Sequence, residues 1–183
     1  MTKGILAFAN KIASAVALAA MTANAAQATE MDPRAAQQVR VHGDIAQHCA
    51  ISSPGDVDFG NLEQPGLQAD LKFGLDCNVP FIMQVEAERG ALTNLEFPKG
   101  QGPYAGSLPY VLDFSIPARS PSATVIRRSI QGRDLLGGAA ISSLGAIATE
   151  GMDVRVTLGR ADGTAGLLAG NYGETITITL SSL

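Results

Sequence analysis

Apolar and polar residues alternate along most of this chain, and long helical stripes are missing. Leu71, Phe73, Leu75 and Cys77 alternate with Lys72, Gly74 and Asp76, the period of a pleated strand that buries one face. After Pro80 the same rhythm puts Phe81, Met83, Val85 and Ala87 on one face. Leu108, Tyr110, Leu112, Phe114 and Ile116 repeat it, as do Met152, Val154, Val156 and Leu158. Near the C-terminus Ile176, Ile178 and Leu180 alternate with Thr175, Thr177 and Thr179. Val39, Val41, Ile45 and Cys49 share one parity, with Arg40, His42, Asp44 and His48 on the other, which predicts a strand over 39–49. With a short strand at 124–130, about seven strands are spaced by turn residues, the pattern of an all-β sandwich or barrel.

Two stretches break the rhythm. Residues 96–107 are rich in Gly and Pro and read as a loop. Residues 133–149 are small, apolar and interrupted by three glycines, so a strand pair with a bend is favoured over a helix. The last alternating segment sets up a choice. Either the domain is complete, or it lacks a final strand and takes one from a neighbour.

The N-terminus changes the setting. Lys3 and Lys11, the apolar run 12–21 and the small residues Ala23-Asn24-Ala25 make a secretory signal peptide over 1–25, with cleavage after Ala28 as the second choice. The run is about half the ~20 apolar residues of a membrane span. Cleavage removes both lysines and no acid, which takes the formal charge from −4 to −6. An acidic chain of about 158 residues with no basic patch is a poor ligand for nucleic acid or an anionic membrane. Cys49 and Cys77, in a chain that leaves the reducing cytoplasm, are expected to form a disulfide. On core-facing positions they can meet across the interior or between neighbouring strands. The closed loop of about 28 residues would be worth about 3.5 kcal/mol on the chain-entropy estimate.

Catalytic signatures are weak. His42 and His48, six residues apart on an extended strand, would stand roughly 20 Å apart, too far to share a metal ion. No Gly-x-Ser-x-Gly elbow and no phosphate loop is present. The carboxylate pairs Asp56/Asp58 and Glu86/Glu88 are common surface features. Trp is absent, which argues against a stacked aromatic binding face, although Tyr104 and Tyr110 would suit a small site. The expectation is a protein that is not an enzyme and has no cofactor or metal.

Five short motifs occur in order. They are Val41-x-x-x-Ile45-x-x-x-Cys49, Val57-Asp58-Phe59-Gly60, Leu75-Asp76-Cys77, Leu108-Pro109-Tyr110-Val111-Leu112, and Leu168-Ala169-Gly170-Asn171-Tyr172-Gly173 with the Thr/Ile run that follows. Together they resemble the spore coat protein U domain family, which includes the subunits of archaic chaperone–usher pili. The resemblance covers 39–183. It implies an immunoglobulin-like sandwich lacking its final strand, a Cys49–Cys77 bridge, and a periplasmic chaperone, an outer-membrane usher and neighbouring pilin subunits as partners. It further implies secretion through the periplasm to a cell-surface pilus that serves adhesion or biofilm formation. The N-terminal extension at 26–38 would then be the donor strand, with Met31, Ala35, Val39 and Val41 inserting and Ile176, Ile178 and Leu180 lining the acceptor. Pro33 inside that extension would cost a ladder hydrogen bond. The alternative is a self-complete secreted β-sandwich, a binding or coat protein that does not polymerise.

Overall fold

Residues 36–183 are described by a computed structural model, and their alternating segments form antiparallel strands. In chain order these are β1 (Cys49–Ser52), β2 (Gln68–Cys77), β3 (Phe81–Ala87), β4 (Leu92–Asn94), β5 (Ser107–Leu108), β6 (Tyr110–Ser120) and β7 (Ser122–Gln131). A 3-10 turn at Gly132–Leu135 leads to β8 (Ala139–Ser142), β9 (Met152–Leu158), β10 (Tyr172–Gly173) and β11 (Ile176–Ser182). The chain is an all-β protein, and Asp44–Leu183 forms one compact unit that holds all of these strands.

The strands make a lopsided sandwich. One sheet has five strands in the order β1-β2-β9-β6-β7, and the facing sheet has three, β11-β3-β8. Leu75, Leu112, Phe114 and Val154 from the first share a core with Phe81, Met83, Val85 and Ile141 from the second. A small sheet, β10-β4-β5, ties the long 159–171 connection to the end where β6 begins. Pro117 is tolerated inside β6 because the ladder with β9 stops at Ser115 and the next pairing on that side is the isolated Arg119–Ile147 bridge. In that gap a missing N–H breaks no sheet bond.

Most of the period-two segments lie where the alternation puts them. Phe81, Met83 and Val85 are 0 % exposed, and Leu108, Tyr110, Leu112, Phe114 and Ile116 are all buried. The strand expected at 124–130 runs further, over Ser122–Gln131. The 133–149 stretch holds the end of the 3-10 turn and β8, then bridges Ile147 to Arg119 and Ala148 to Cys77.

One expectation fails. Residues 39–48 form no strand, and β1 starts only at Cys49. Val39, Val41 and Ile45 are 84, 88 and 87 % exposed. Alternation gives a segment one apolar face, but a strand also needs a neighbouring strand for its backbone bonds, and among the described residues 39–48 join no sheet. His42, Asp44 and His48 therefore do not share a strand face. The signal peptide, and Met31 and Ala35 of the extension, lie outside the described residues.

Candidate functional site

Cys49 and Cys77 are directly opposite each other in the β1–β2 ladder and are joined by a disulfide, with 4.0 Å between their Cα atoms. Of the two geometries open from sequence, the bridge takes the one between neighbouring strands. Just outside it Asn78 acts as a latch. Its Oδ1 accepts the His48 N–H at 2.9 Å, its Nδ2 donates to the Ala46 carbonyl at 2.8 Å, and its own N–H donates to the His48 carbonyl at 3.1 Å. His48 Nε2 also approaches Asp76 at 3.1 Å on the exposed surface. The chain before β1 is thus fixed at the Cys77 end of the sandwich.

Above β1 the sandwich is open. Ladder pairing sets Ile176, Ile178 and Leu180 of β11 beside Ala87, Val85 and Met83 of β3, on the same inward face. The β3 residues are sealed, whereas all three β11 residues stay half-exposed. Across the gap, Leu71 and Phe73 of β2 are also half-exposed, while Leu75 and Cys77 further along that strand are buried. Neither β1 nor β11 has a second strand partner among the described residues.

The result is a groove of about 670 Å³. Its floor is made by Leu71 and Phe73, Val154, Val156 and Leu158, and Tyr110, Leu112 and Phe114. Ile176 and Ile178 form one wall, and Ile51 with Val57 and Phe59 forms the other. Ile51 was not singled out from the sequence, and Phe59 only as part of the Val57-Asp58-Phe59-Gly60 motif. The signal for Ile51 was present, since it continues the parity of Cys49. Of the assembly candidates, Ile176 and Ile178 line the groove and Leu180 extends the same face below it. Val39 and Val41 stand exposed outside the compact unit's strands.

Tyr110 is the polar feature of the floor. It is 3 % exposed, and its hydroxyl has no hydrogen-bond partner among the described residues. Burial, reinforced by the Glu174 carboxylate, pushes its pKa far above the usual phenol range, so the ring is neutral at any physiological pH.

At the far end from the disulfide the groove meets a second recess of about 710 Å³, bounded by residues 57–63, Leu92, Tyr104 and residues 167–172. Local packing accounts for much of the Leu168–Gly173 motif. Gly170 has φ of 150°, and a Cβ there would stand 2.6 Å from the Asn94 amide nitrogen. Asn94 is wholly buried, and its Oδ1 accepts the N–H groups of Glu96 and Phe97 at 3.0 and 2.9 Å. The Tyr172 hydroxyl donates to the Leu168 carbonyl at 2.6 Å. Tyr104 is half-exposed at the recess, whereas Tyr110 is in the core.

Among the described residues no three His, Cys, Asp or Glu side chains gather where a metal ion would fit, and no helix is long and apolar enough to cross a membrane. The outer face of the five-stranded sheet carries an exposed Asp70–Arg155 pair, in which Arg155 holds the Asp70 carboxyl below its ordinary range. Neither models of known protein families nor curated proteins match this chain.

Proposed function

We propose that this protein is a structural subunit of a secreted surface fibre of the chaperone–usher kind, in which a strand from a neighbouring subunit completes the sandwich. The observation that carries the reading is the β3–β11 pair. Residues joined rung by rung, on one inward face, are sealed on β3 and half-exposed on β11. A strand laid against the free edge of β11 would cover Ile176, Ile178, Leu71 and Phe73 together and satisfy that edge's backbone groups. Three or four inserted apolar side chains, at roughly 1.5 to 3 kcal/mol each, contribute on the order of 5 to 10 kcal/mol before ordering costs. Such a joint would open slowly. The resemblance to spore coat protein U domains points the same way and supplies the periplasmic chaperone, the outer-membrane usher and a role in adhesion or biofilm formation.

Fixed ends favour a fibre over a closed dimer. The chain enters the sandwich at the Cys77 end, held by Asn78, while the groove occupies the half nearer Leu158 and Glu174. An arm rooted at one end that fills a groove at the other makes a head-to-tail contact, which propagates unless its rotation happens to close.

The test is unboiled, non-reducing electrophoresis of protein sheared from cells that express the chain with its native gene cluster. A ladder that collapses on boiling supports strand exchange. A single monomer band would favour the self-complete secreted sandwich, and the recess beside Tyr104 would then be the first place to seek a ligand.

A further inference from the structure

The outer face of the five-stranded sheet, turned away from the groove, carries its charges in a grid. Strand registers set Asp70, Arg155, Asp113 and Ser129 in one row across β2, β9, β6 and β7, and Lys72, Asp153, Ser115 and Arg127 in the next. The three acids and three bases are all exposed and alternate in sign along and across the strands. Arg155 holds Asp70 in a two-point bond at 2.6 and 3.2 Å. Lys72, Asp113, Arg127 and Asp153 have no ion-pair partner among the described residues. Ser115 and Ser129 help to border a recess of about 450 Å³ between the charged side chains. Val111 flanks the first row, and Pro117 with its rung partner Val125 flanks the second. Nearer the disulfide, Arg119 and Asp76 are engaged at home with Glu150 and His48.

We propose that this face pairs with the same face of a second copy, about a two-fold axis that runs across the strands between the two rows. Such an axis exchanges the rows. Asp70 then meets Lys72 of the second copy, and Arg155 meets its Asp153. Asp113 and Arg127 each come down over a serine, where there is room for them and where the Arg127 of one copy reaches the Asp113 of the other. No two like charges oppose, Val111 lies over Pro117, and every contact occurs twice because the interface is isologous. Both sheets twist with the same hand, so aligned stacking keeps the four strands in register. A two-fold axis along the strands would instead set Lys72 on Arg127. A polyanion or a polycation would meet as many like charges as opposite ones, so a second copy is the occupant that the grid fits. Four strands by four rows make a patch of about 20 Å by 20 Å, which suits a weak pairing that gains strength where copies are held in an array. The contact does not depend on the fibre reading, since it leaves the groove and its edges free.

Sedimentation of the purified full-length chain over a range of concentration and salt tests the proposal. A monomer–dimer equilibrium that weakens as salt rises is expected. Lys72→Glu turns two attractions into two repulsions and should lower the association constant about tenfold, as should Arg127→Glu. Adding Asp70→Lys to Lys72→Glu puts opposite charges back across the axis and should recover part of the loss. Thermal melts report that each variant folds. Crosslinking checks the axis. With the sheets about 10 Å apart, the Cα atoms of Ser115 in the two copies would be about 12 Å apart and those of Gln68 about 23 Å. A short bismaleimide should therefore join Ser115→Cys chains and not Gln68→Cys chains. Strand exchange is read separately on unboiled gels, where a weak ionic pair does not survive the detergent.

A chain that stays monomeric to about 1 mM, or a dimer indifferent to salt and to both charge reversals, would overturn the inference and leave the fibre reading standing. Crosslinking through Gln68→Cys and not through Ser115→Cys would place the contact on another axis and overturn it as well. Salt-sensitive pairing through Ser115→Cys in a chain that shows no ladder would uphold the inference and count against the fibre.

Discussion

β3 and β11 lie side by side, share a register and point their apolar residues the same way, yet only β3 is covered. Val85 is 0 % exposed and its rung partner Ile178 is half-exposed. The difference comes from the sheet and not from the side chains. β3 is flanked by β8 and β11, whereas among the described residues β11 is flanked by a strand on one side only. Orientation is written in the alternation of a strand, while burial depends on what lies beside and across from it.

The comparison can be broken most severely by placing a charge on each strand in turn. Val85→Asp buries an unpaired carboxylate in the sealed core and should cost more than about 4 kcal/mol, enough to prevent secretion of folded chain. Ile178→Asp, on the same rung of the neighbouring strand, should cost markedly less in the isolated chain because its carboxylate can reach water through the groove. If the groove is filled in the assembly, the same variant should abolish the ladder. Denaturant melts of the secreted chains, read beside electrophoresis, separate the two, and equal destabilisation by both would mean that the groove is closed in solution.

Removing the bridge at the closed end comes next. Cys49→Ala with Cys77→Ala should lower stability by about 2 to 5 kcal/mol, the usual range for a native disulfide in a small secreted domain. Thermal melts of the double variant under non-reducing conditions measure it. Ser143→Ala should cost about 1 to 3 kcal/mol, because the buried Oγ that accepts the Phe81 N–H at 3.0 Å has no replacement. Tyr110→Phe has the smallest effect and the opposite sign. It deletes a buried hydroxyl without a partner and should leave stability unchanged or raise it by about 1 kcal/mol. A loss of more than that would show that the phenol finds a partner in solution, with a bound water in the groove the first candidate.

Much of the architecture was legible in the sequence because β3, β6 and β9 bury nearly complete faces and β2 buries part of one, so selection for packing leaves a clean period of two. β7 was harder to read. Arg128 shares its inward parity with Ile126 and Ile130, since it pairs with Phe114, and all three lie at the edge of the five-stranded sheet, where cover is thin. β4, β5 and β10 span only two or three residues, too few for any period to show. Asn94 and Ser143 are buried polar residues whose roles depend on backbone groups distant in the chain, and no local pattern marks them. The segment 39–48 misled in an instructive way. It has the alternation of a strand but joins no sheet among the described residues, and alternation alone supplies no neighbour. The one sequence cue to the groove was the resemblance to spore coat protein U domains. Its walls come from β1, β11 and residues 53–59, which the topology brings together from opposite ends of the chain.

The position of the disulfide also sets how this domain would carry a pull. Tension on the residues ahead of Cys49 passes through the covalent bridge into Cys77 and so into β2, which β9 zips against the middle of the larger sheet over six rungs. The short β1 and the loosely built loop up to Gln68 are bypassed and would stay slack. Force on the arm is therefore resisted by shearing a long central ladder and not by peeling an edge strand, so the weakest-looking part of the molecule is also the part that bears no load.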